Sequence, residues 1–255
     1  MSIRKIEEKY KVSRVSISKY LEEIGIKTTF GNHYRLYFHN YGYFDNIDTE
    51  HKAYWLGFLF ADGYISNKSK DYGEDAFGIC ISEKDKIMLE SFLKDIEATN
   101  PIIKSPHYGT QYEDCLRVQL TSQKTVDDLQ RHGCVKNKTL ILEPPKEIDN
   151  NFIYDFIRGF FDGDGGFCIT DNKYYQMSFT STFEMCSWLK EIFECGSVIK
   201  DKRTENTWYF KIGGNRQVIK ICNLLYKNST IFLPRKYNIY KELLNKYDEN
   251  QGIYV

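Results

Sequence analysis

Two stretches decide how this chain is read. They are Ala53-Tyr-Trp-Leu-Gly57-Phe-Leu-Phe-Ala61-Asp62-Gly63 and Asp155-Phe-Ile-Arg-Gly159-Phe-Phe-Asp-Gly163-Asp164-Gly165. Each has a Gly, a small residue four positions on, and then Asp-Gly; the two Asp are 102 positions apart. On a helix, Ala53, Gly57 and Ala61 fall at i, i+4 and i+8 and make one stripe, as do Asp155, Gly159 and Gly163. Such stripes let two helix backbones approach closely. Glycine inside a helix costs about 1 kcal/mol against alanine, and close packing supplies the reason for it. Each helix is expected to stop at its terminal Gly in the usual C′ role. That leaves Asp62 and Asp164 at helix C-termini, where the macrodipole disfavours a carboxylate by roughly 0.3–1 kcal/mol. If the helices pack side by side the two anions converge, and a divalent cation with oxygen ligands offsets the strain. Asp162 matches Phe60 in the other stretch, so only Asp164 has a paired role. The Asp162-Gly-Asp164-Gly-Gly run is not a calcium loop: it lacks the further ligand and has Phe167 where that loop needs Gly.

The segments after each stretch also repeat in order. After Asp62 come two alternating runs, 77–81 and 116–120, flanking a helical pattern over 84–96; a second helical pattern, 122–130, precedes Gly133. After Asp164 come alternating 175–179, helical 183–193, alternating 208–212 and helical 216–226. Alternation marks strands buried on one face, and the 3.6-residue period marks helices. Each unit closes on a basic triplet, Lys136-Asn137-Lys138 and Pro234-Arg235-Lys236. The fold class expected is α+β, with two pseudo-symmetric αββαββα repeats.

The chain has 255 residues, 35 Lys+Arg against 35 Asp+Glu, and 42% hydrophobic residues. That composition excludes a disordered protein, and no apolar run approaches the ~20 residues that span a bilayer. Seven scattered Cys with no C-x-x-C pair argue against disulfides and structural zinc. They fit a reducing compartment, the cytoplasm or a nucleoid or organelle matrix, and no secretory leader is legible at the start. Zero net charge argues mildly against a uniformly basic surface, but charge is sorted along the chain. Residues 1–30 carry seven Lys/Arg against four Asp/Glu, 148–195 carry three against eight, and 196–247 carry eleven against three. The basic surface therefore lies in separate blocks.

These residues resemble the LAGLIDADG homing endonucleases of the single-chain, two-motif type, over roughly 50–247. The resemblance implies two saddle-shaped sheets straddling double-stranded DNA, and hydrolysis of one phosphodiester in each strand. It assigns the metal, Mg²⁺ with Mn²⁺ or Ca²⁺ as substitutes, to Asp62 and Asp164 with the carbonyls of Ala61 and Gly163. It places Lys138 and Lys236 near the scissile phosphates, as catalytic residues beside the two Asp. The central motif positions are aromatic here (Phe58, Phe60, Phe160, Phe161), which suits core packing. Strand alternation puts Arg117 and Gln119, then Gln176, Ser178 and Thr180, then Tyr209 and Lys211 on outward faces; two-stranded ribbons fit the major groove. Lys136 and Arg235 join them as candidate DNA contacts.

Residues 1–30 read as a helix-turn-helix. Ser13 caps its second helix, Gly25 stops it, Ile6, Val12, Ile17, Leu21 and Ile26 form its core, and Arg14, Ser16 and Lys19 face a groove. Residues 31–50 are an ordered aromatic connector, 51–147 the first repeat and 148–255 the second. Unlike halves imply a monomer acting on a long asymmetric site. An intein is not expected, since there is no Cys or Ser at position 1 and no terminal His-Asn. The alternatives are a non-cleaving DNA-binding regulator on the same fold and an intron RNA maturase; retention of both motif acids favours cleavage over regulation.

Overall fold

The computed structural model describes residues 3–25, 36–67, 73–105, 115–171 and 173–250, and divides into two compact units, Met1–Leu36 and Tyr37–Val255. The first unit contains α1 (Ile3–Tyr10) and α2 (Arg14–Glu23). Ser13 caps α2 by accepting from the Ser16 amide at 3.2 Å, and Gly25 has a φ of +79°. Ile17 is buried as expected, but Val12 is 44% exposed in the inter-helix turn and does not join the core. Ile26 lies outside the described residues.

The second unit runs α3 (Glu50–Asp62), β1 (Gly63–Ser66), β2 (Ala76–Ser82), α4 (Lys86–Asp95), β3 (Ile103–Ser105), β4 (Cys115–Thr121) and α5 (Gln123–Arg131). The order then recurs as α6 (Ile153–Asp164), β5 (Gly165–Thr170), β6 (Tyr174–Ser181), α7 (Phe183–Phe193), β7 (Ser197–Lys200), β8 (Trp208–Gly213) and α8 (Asn215–Tyr226). The second repeat continues into α9 (Pro234–Asn250), where the first has only a turn of 3₁₀ helix, Lys138–Leu140. The sheets have the matching antiparallel orders β1-β2-β4-β3 and β5-β6-β8-β7. Alternation found the central strands but not the edge strands β1, β3, β5 and β7, which are three to six residues long and mostly lack a buried alternate face. Connector residues Tyr43, Phe44 and Ile47 are buried in the same core as both repeats.

Helix α3 is apolar all round because it is buried all round, from Ala53 to Ala61. It packs closely on α6, with Gly57 against Phe156 and Phe160, Gly159 against Tyr54 and Phe58, and Gly163 against Ala61. A Cβ placed on Gly57 would lie 1.9 Å from the Phe156 carbonyl oxygen, and one on Gly159 would lie 1.9 Å from that of Tyr54. A Cβ on Gly163 would lie 2.2 Å from the Ala61 Cβ. The stripes therefore bring backbone onto backbone.

The terminal glycines act differently from expectation. Gly63 (φ −79°) and Gly165 (φ −90°) are extended, not left-handed, and pass straight into β1 and β5. They are glycine for want of room: a Cβ would lie 2.4 Å from the Leu59 carbonyl oxygen at Gly63 and 2.0 Å from the Phe161 ring at Gly165.

Gly57→Ala and Gly159→Ala are each expected to cost about 3 kcal/mol or more, because helix backbones and not a flexible side chain must move. Gly166→Ala, with nothing within 4 Å of the added Cβ, is expected to stay within about 1 kcal/mol of wild type. Urea unfolding of the three variants checks the ranking.

Candidate active site

The close helix pair delivers Asp62 and Asp164 to one place. The Asp62 Oδ2 lies only 3.4 Å from the point a Gly163 Cβ would occupy, so its carboxylate leans over the end of the partner helix. Burial, and then the charge of Asp164, pushes the Asp62 carboxyl up to about 6. Burial also raises Asp164, while Lys138 and Lys236 pull it back. Asp62 is partly buried and Asp164 is exposed, and the two are near enough for the charge of one to raise the other. The donors that the resemblance assigns to a metal are hard oxygens: these two carboxylates and the carbonyls of Ala61 and Gly163. Among the described residues no three His, Cys, Asp or Glu cluster to hold a metal. An ion here must therefore complete its shell with carbonyl, phosphate or water oxygen, which suits Mg²⁺ or Ca²⁺ and not zinc.

Beside Asp164 is a cavity of about 220 Å³ lined by Phe60, Ala61, Lys138, Thr139, Leu142, Thr180, Ser181 and Thr207. Lys138 reaches its wall and donates to the Ala61 carbonyl, the oxygen the resemblance gives to the metal. Lys236 is placed otherwise. It is 2% exposed and donates to the carbonyls of Phe161, Asp162 (2.9 Å) and Gly165 (2.6 Å). An ammonium has three donors, and here all three are spent on the C-terminal turn of α6. Burial lowers its pKa to about 8. The repeat makes the two lysines look equivalent; the structure makes one a wall residue of the cavity and the other a buried clamp.

Asp162, set aside from the pair, has a structural task that spacing does not reveal. It is 1% exposed and accepts from Tyr54 Oη (2.8 Å), Tyr226 Oη (2.6 Å) and the Leu233 amide (2.7 Å). Arg158 is equally invisible to spacing. It is buried, and donates to Glu50, Asp155, Leu225 O and Ile231 O at 2.7–2.9 Å, tying the start of α3 to α6 and α8. An Arg and an Asp inside otherwise apolar motif helices are the available signals.

The outward strand residues fall as alternation requires. Leu116, Val118 and Leu120 are buried, as are Met177, Phe179, Phe210 and Ile212. On the opposite faces Arg117 and Gln119 stand on β4, and Ser178 pairs with Lys211 and Thr180 with Tyr209 across β6 and β8; Gln176 is one step further along β6. Gln119 Oε1 accepts from Tyr64 Oη at 3.3 Å. The other basic candidates are engaged: Lys136 pairs with Asp75 at 2.5 Å and Arg235 with Asp85 at 3.1 Å. In the first unit, Arg14 pairs with Glu7, Ser16 bonds the Ser13 hydroxyl and Lys19 is exposed.

This architecture is the LAGLIDADG homing-endonuclease fold. The meganuclease I-SmaMI bound to uncleavable DNA superposes with a TM-score of 0.54 at 16% identity, over 75% of this chain and 88% of that one. The LAGLIDADG meganuclease I-AabMI bound to uncleaved DNA gives 0.53 at 13%, over 76% and 89%. I-SmaMI on its uncleaved target with calcium ions gives 0.51 at 15%, over 78% and 92%. At such identities the likeness is one of fold. No protein-family model matches the chain, and no curated protein matches it in sequence. No helix among the described residues is long and apolar enough to cross a membrane.

The raised carboxyls make stability depend on pH. Below pH 3.8, Asp62 is protonated in both the folded and unfolded chain. Between 3.8 and about 6 the unfolded chain loses that proton first, so folding weakens as pH rises through this window and stays weakened above it. Asp62→Asn is expected to be more stable than wild type by about 2–3 kcal/mol at pH 8 without divalent metal, with the gap closing toward pH 4. Added Mg²⁺ is expected to raise the melting temperature of wild type but not of Asp62→Asn. Calorimetry across pH checks both.

Proposed function

We propose that this chain is a site-specific endonuclease for double-stranded DNA. It hydrolyses one phosphodiester in each strand of a long asymmetric site, as a monomer. The observation that carries this reading is the convergence of Asp62 and Asp164, brought together against their own repulsion at the end of the close helix pair. Mg²⁺ would be held by these carboxylates with the carbonyls of Ala61 and Gly163. When bound, it would supply an activated water and neutralise charge on the attacking and leaving oxygens. The DNA-bound state of the similar structures supports the same reading.

The chain's own residues divide the remaining work. Lys138, at the cavity wall, donates to a phosphate oxygen and stabilises the charge that develops there. Lys236 is a positioning residue: it fixes the end of α6 and so the direction of Asp164. The outward faces of the two sheets, with Arg117 and Gln119 on one and Gln176, Ser178, Thr180, Tyr209 and Lys211 on the other, lie along the major groove. Phosphate contacts come chiefly from the basic block 196–247. Arg14, Ser16 and Lys19 add contacts from the first unit, and the unlike faces of the two repeats read unlike half-sites.

Cleavage of a randomised duplex library with Mg²⁺ tests this. Wild type is expected to cut both strands of a long sequence. Asp62→Asn and Asp164→Asn are expected to lose cutting by roughly 10²-fold or more while still binding, and Lys138→Met is expected to do the same with a smaller fall in melting temperature than Lys236→Met. Lys236→Met is expected to lower the melting temperature as well. Specific binding without cutting in Mg²⁺ or Mn²⁺ would replace the endonuclease with a regulator.

A further inference from the structure

The turn between β7 and β8, residues 201–207, carries a side-chain arrangement with no part in the chemistry of Asp62 and Asp164. Asp201 is buried, and Arg203 beside it is 80% exposed. Arg203 Nε donates to Asp201 Oδ1 at 3.1 Å and its Nη2 to Oδ2 at 2.9 Å, a two-point grip. Tyr209 Oη donates to the same Oδ2 at 2.7 Å and accepts from Arg203 Nη2 at 3.1 Å. The Asp201 carboxyl also accepts from the Arg203 amide at 2.9 Å. Arg203, with Tyr209 after it, holds that carboxyl well below the usual range. This arginine is braced through Nε and Nη2, and only its Nη1 amino group lies outside these bonds.

Its place matters as much. Tyr209 stands on the outward face of the second sheet, paired with Thr180 and Ile199. At the end of the same turn, Thr207 lines the cavity that holds Asp164 and Lys138. The braced guanidinium therefore belongs to the part of the sheet nearest the cleavage chemistry.

We propose that Arg203 is a base-reading residue. It presents its Nη1 amino group to the acceptor edge, O6 or N7, of a guanine in the major groove beside the cut, with Asp201 and Tyr209 as positioning residues. This rests on the DNA-endonuclease function proposed for the chain. Two features favour a base over a phosphate. The Asp201–Arg203 pair is neutral as a unit, so it attracts a phosphate weakly, whereas the hydrogen-bonding direction of its outer N–H groups is undiminished. And bracing removes the rotamer entropy that a long side chain loses on docking, which benefits a directional contact most.

Binding-site selection by the full chain from a randomised duplex library, without divalent metal so that nothing is cut, tests the proposal. Wild type is expected to select a guanine at one position near the centre of its site. Arg203→Ala is expected to bind that duplex about 10- to 100-fold more weakly, and to bind the duplex with that base pair replaced as wild type does. Arg203→Lys keeps the charge but loses the two-point grip on Asp201 that directs the side chain, and is expected to behave like Arg203→Ala. Asp201→Asn and Tyr209→Phe are expected to lose several-fold on the guanine duplex alone. Three results would overturn the proposal while leaving DNA binding intact: equal weakening on all duplexes with a shallower salt dependence, full rescue by Arg203→Lys, or no effect of Arg203→Ala. Failure of wild type to select any sequence would instead overturn the DNA-binding function, and this role of Arg203 with it.

Discussion

The structure depends on one contact, the seating of Gly57 on α6 and of Gly159 on α3. Each glycine meets a carbonyl oxygen of the other helix at a distance that leaves no room for a methyl group. The contact is reciprocal because the two repeats are related by a pseudo-twofold axis, so whatever lies at one helix end has its counterpart across the axis. The functional geometry is a consequence of that spacing. Two helices held further apart by side chains would carry the same Asp residues to places with separate solvent shells, and neither would feel the other.

The arrangement creates an electrostatic cost that the structure meets with cations and hydrogen bonds. Three carboxylates, Asp62, Asp162 and Asp164, sit at or near helix C-termini, where the macrodipole is already negative. Lys138 and Lys236 answer by donating to the carbonyls of those same helix ends. Asp162 is buried, and three donors satisfy it; without them a buried carboxylate would cost several kcal/mol. Among the described residues, no hydrogen-bond donor reaches the carboxylates of Asp62 and Asp164, and both carboxyls are raised. The difference separates an acid satisfied within the fold from two that are not.

The pseudo-symmetry is one of backbone and not of chemistry. At the far end of the helix pair, Arg158 of the second repeat binds Glu50 of the first, and its position in α3 is held by Leu56. At the near end one lysine spends its donors on three carbonyls, whereas the other donates to the carbonyl of Ala61. Lys236 lies in the first turn of the long helix α9, whereas Lys138 opens only a short 3₁₀ turn. A burial environment that differs on the two sides lets nearly identical backbones perform unequal tasks, which a single-chain protein can exploit and a symmetric dimer cannot.

The repeat, the helices at 183–193 and 216–226, the central strands, the side-by-side pairing of the motif helices and the exclusion of Asp162 from the acid pair can all be read along the chain. These are legible because periodicity and a small-residue stripe are local consequences of helix and strand geometry. The spacing of 102 residues then carries one local reading onto the other. Contacts made on folding settle that Gly63 and Gly165 are extended, that Val12 leaves its core, that Lys136 and Arg235 are held by Asp75 and Asp85, that Arg158 and Asp162 anchor the helix pair, and that Arg203 is braced. Most of these turn on which polar group, distant in sequence, satisfies a donor or acceptor once water is removed. Hydrogen-bond satisfaction is settled by neighbours in space, and no period along the chain records it.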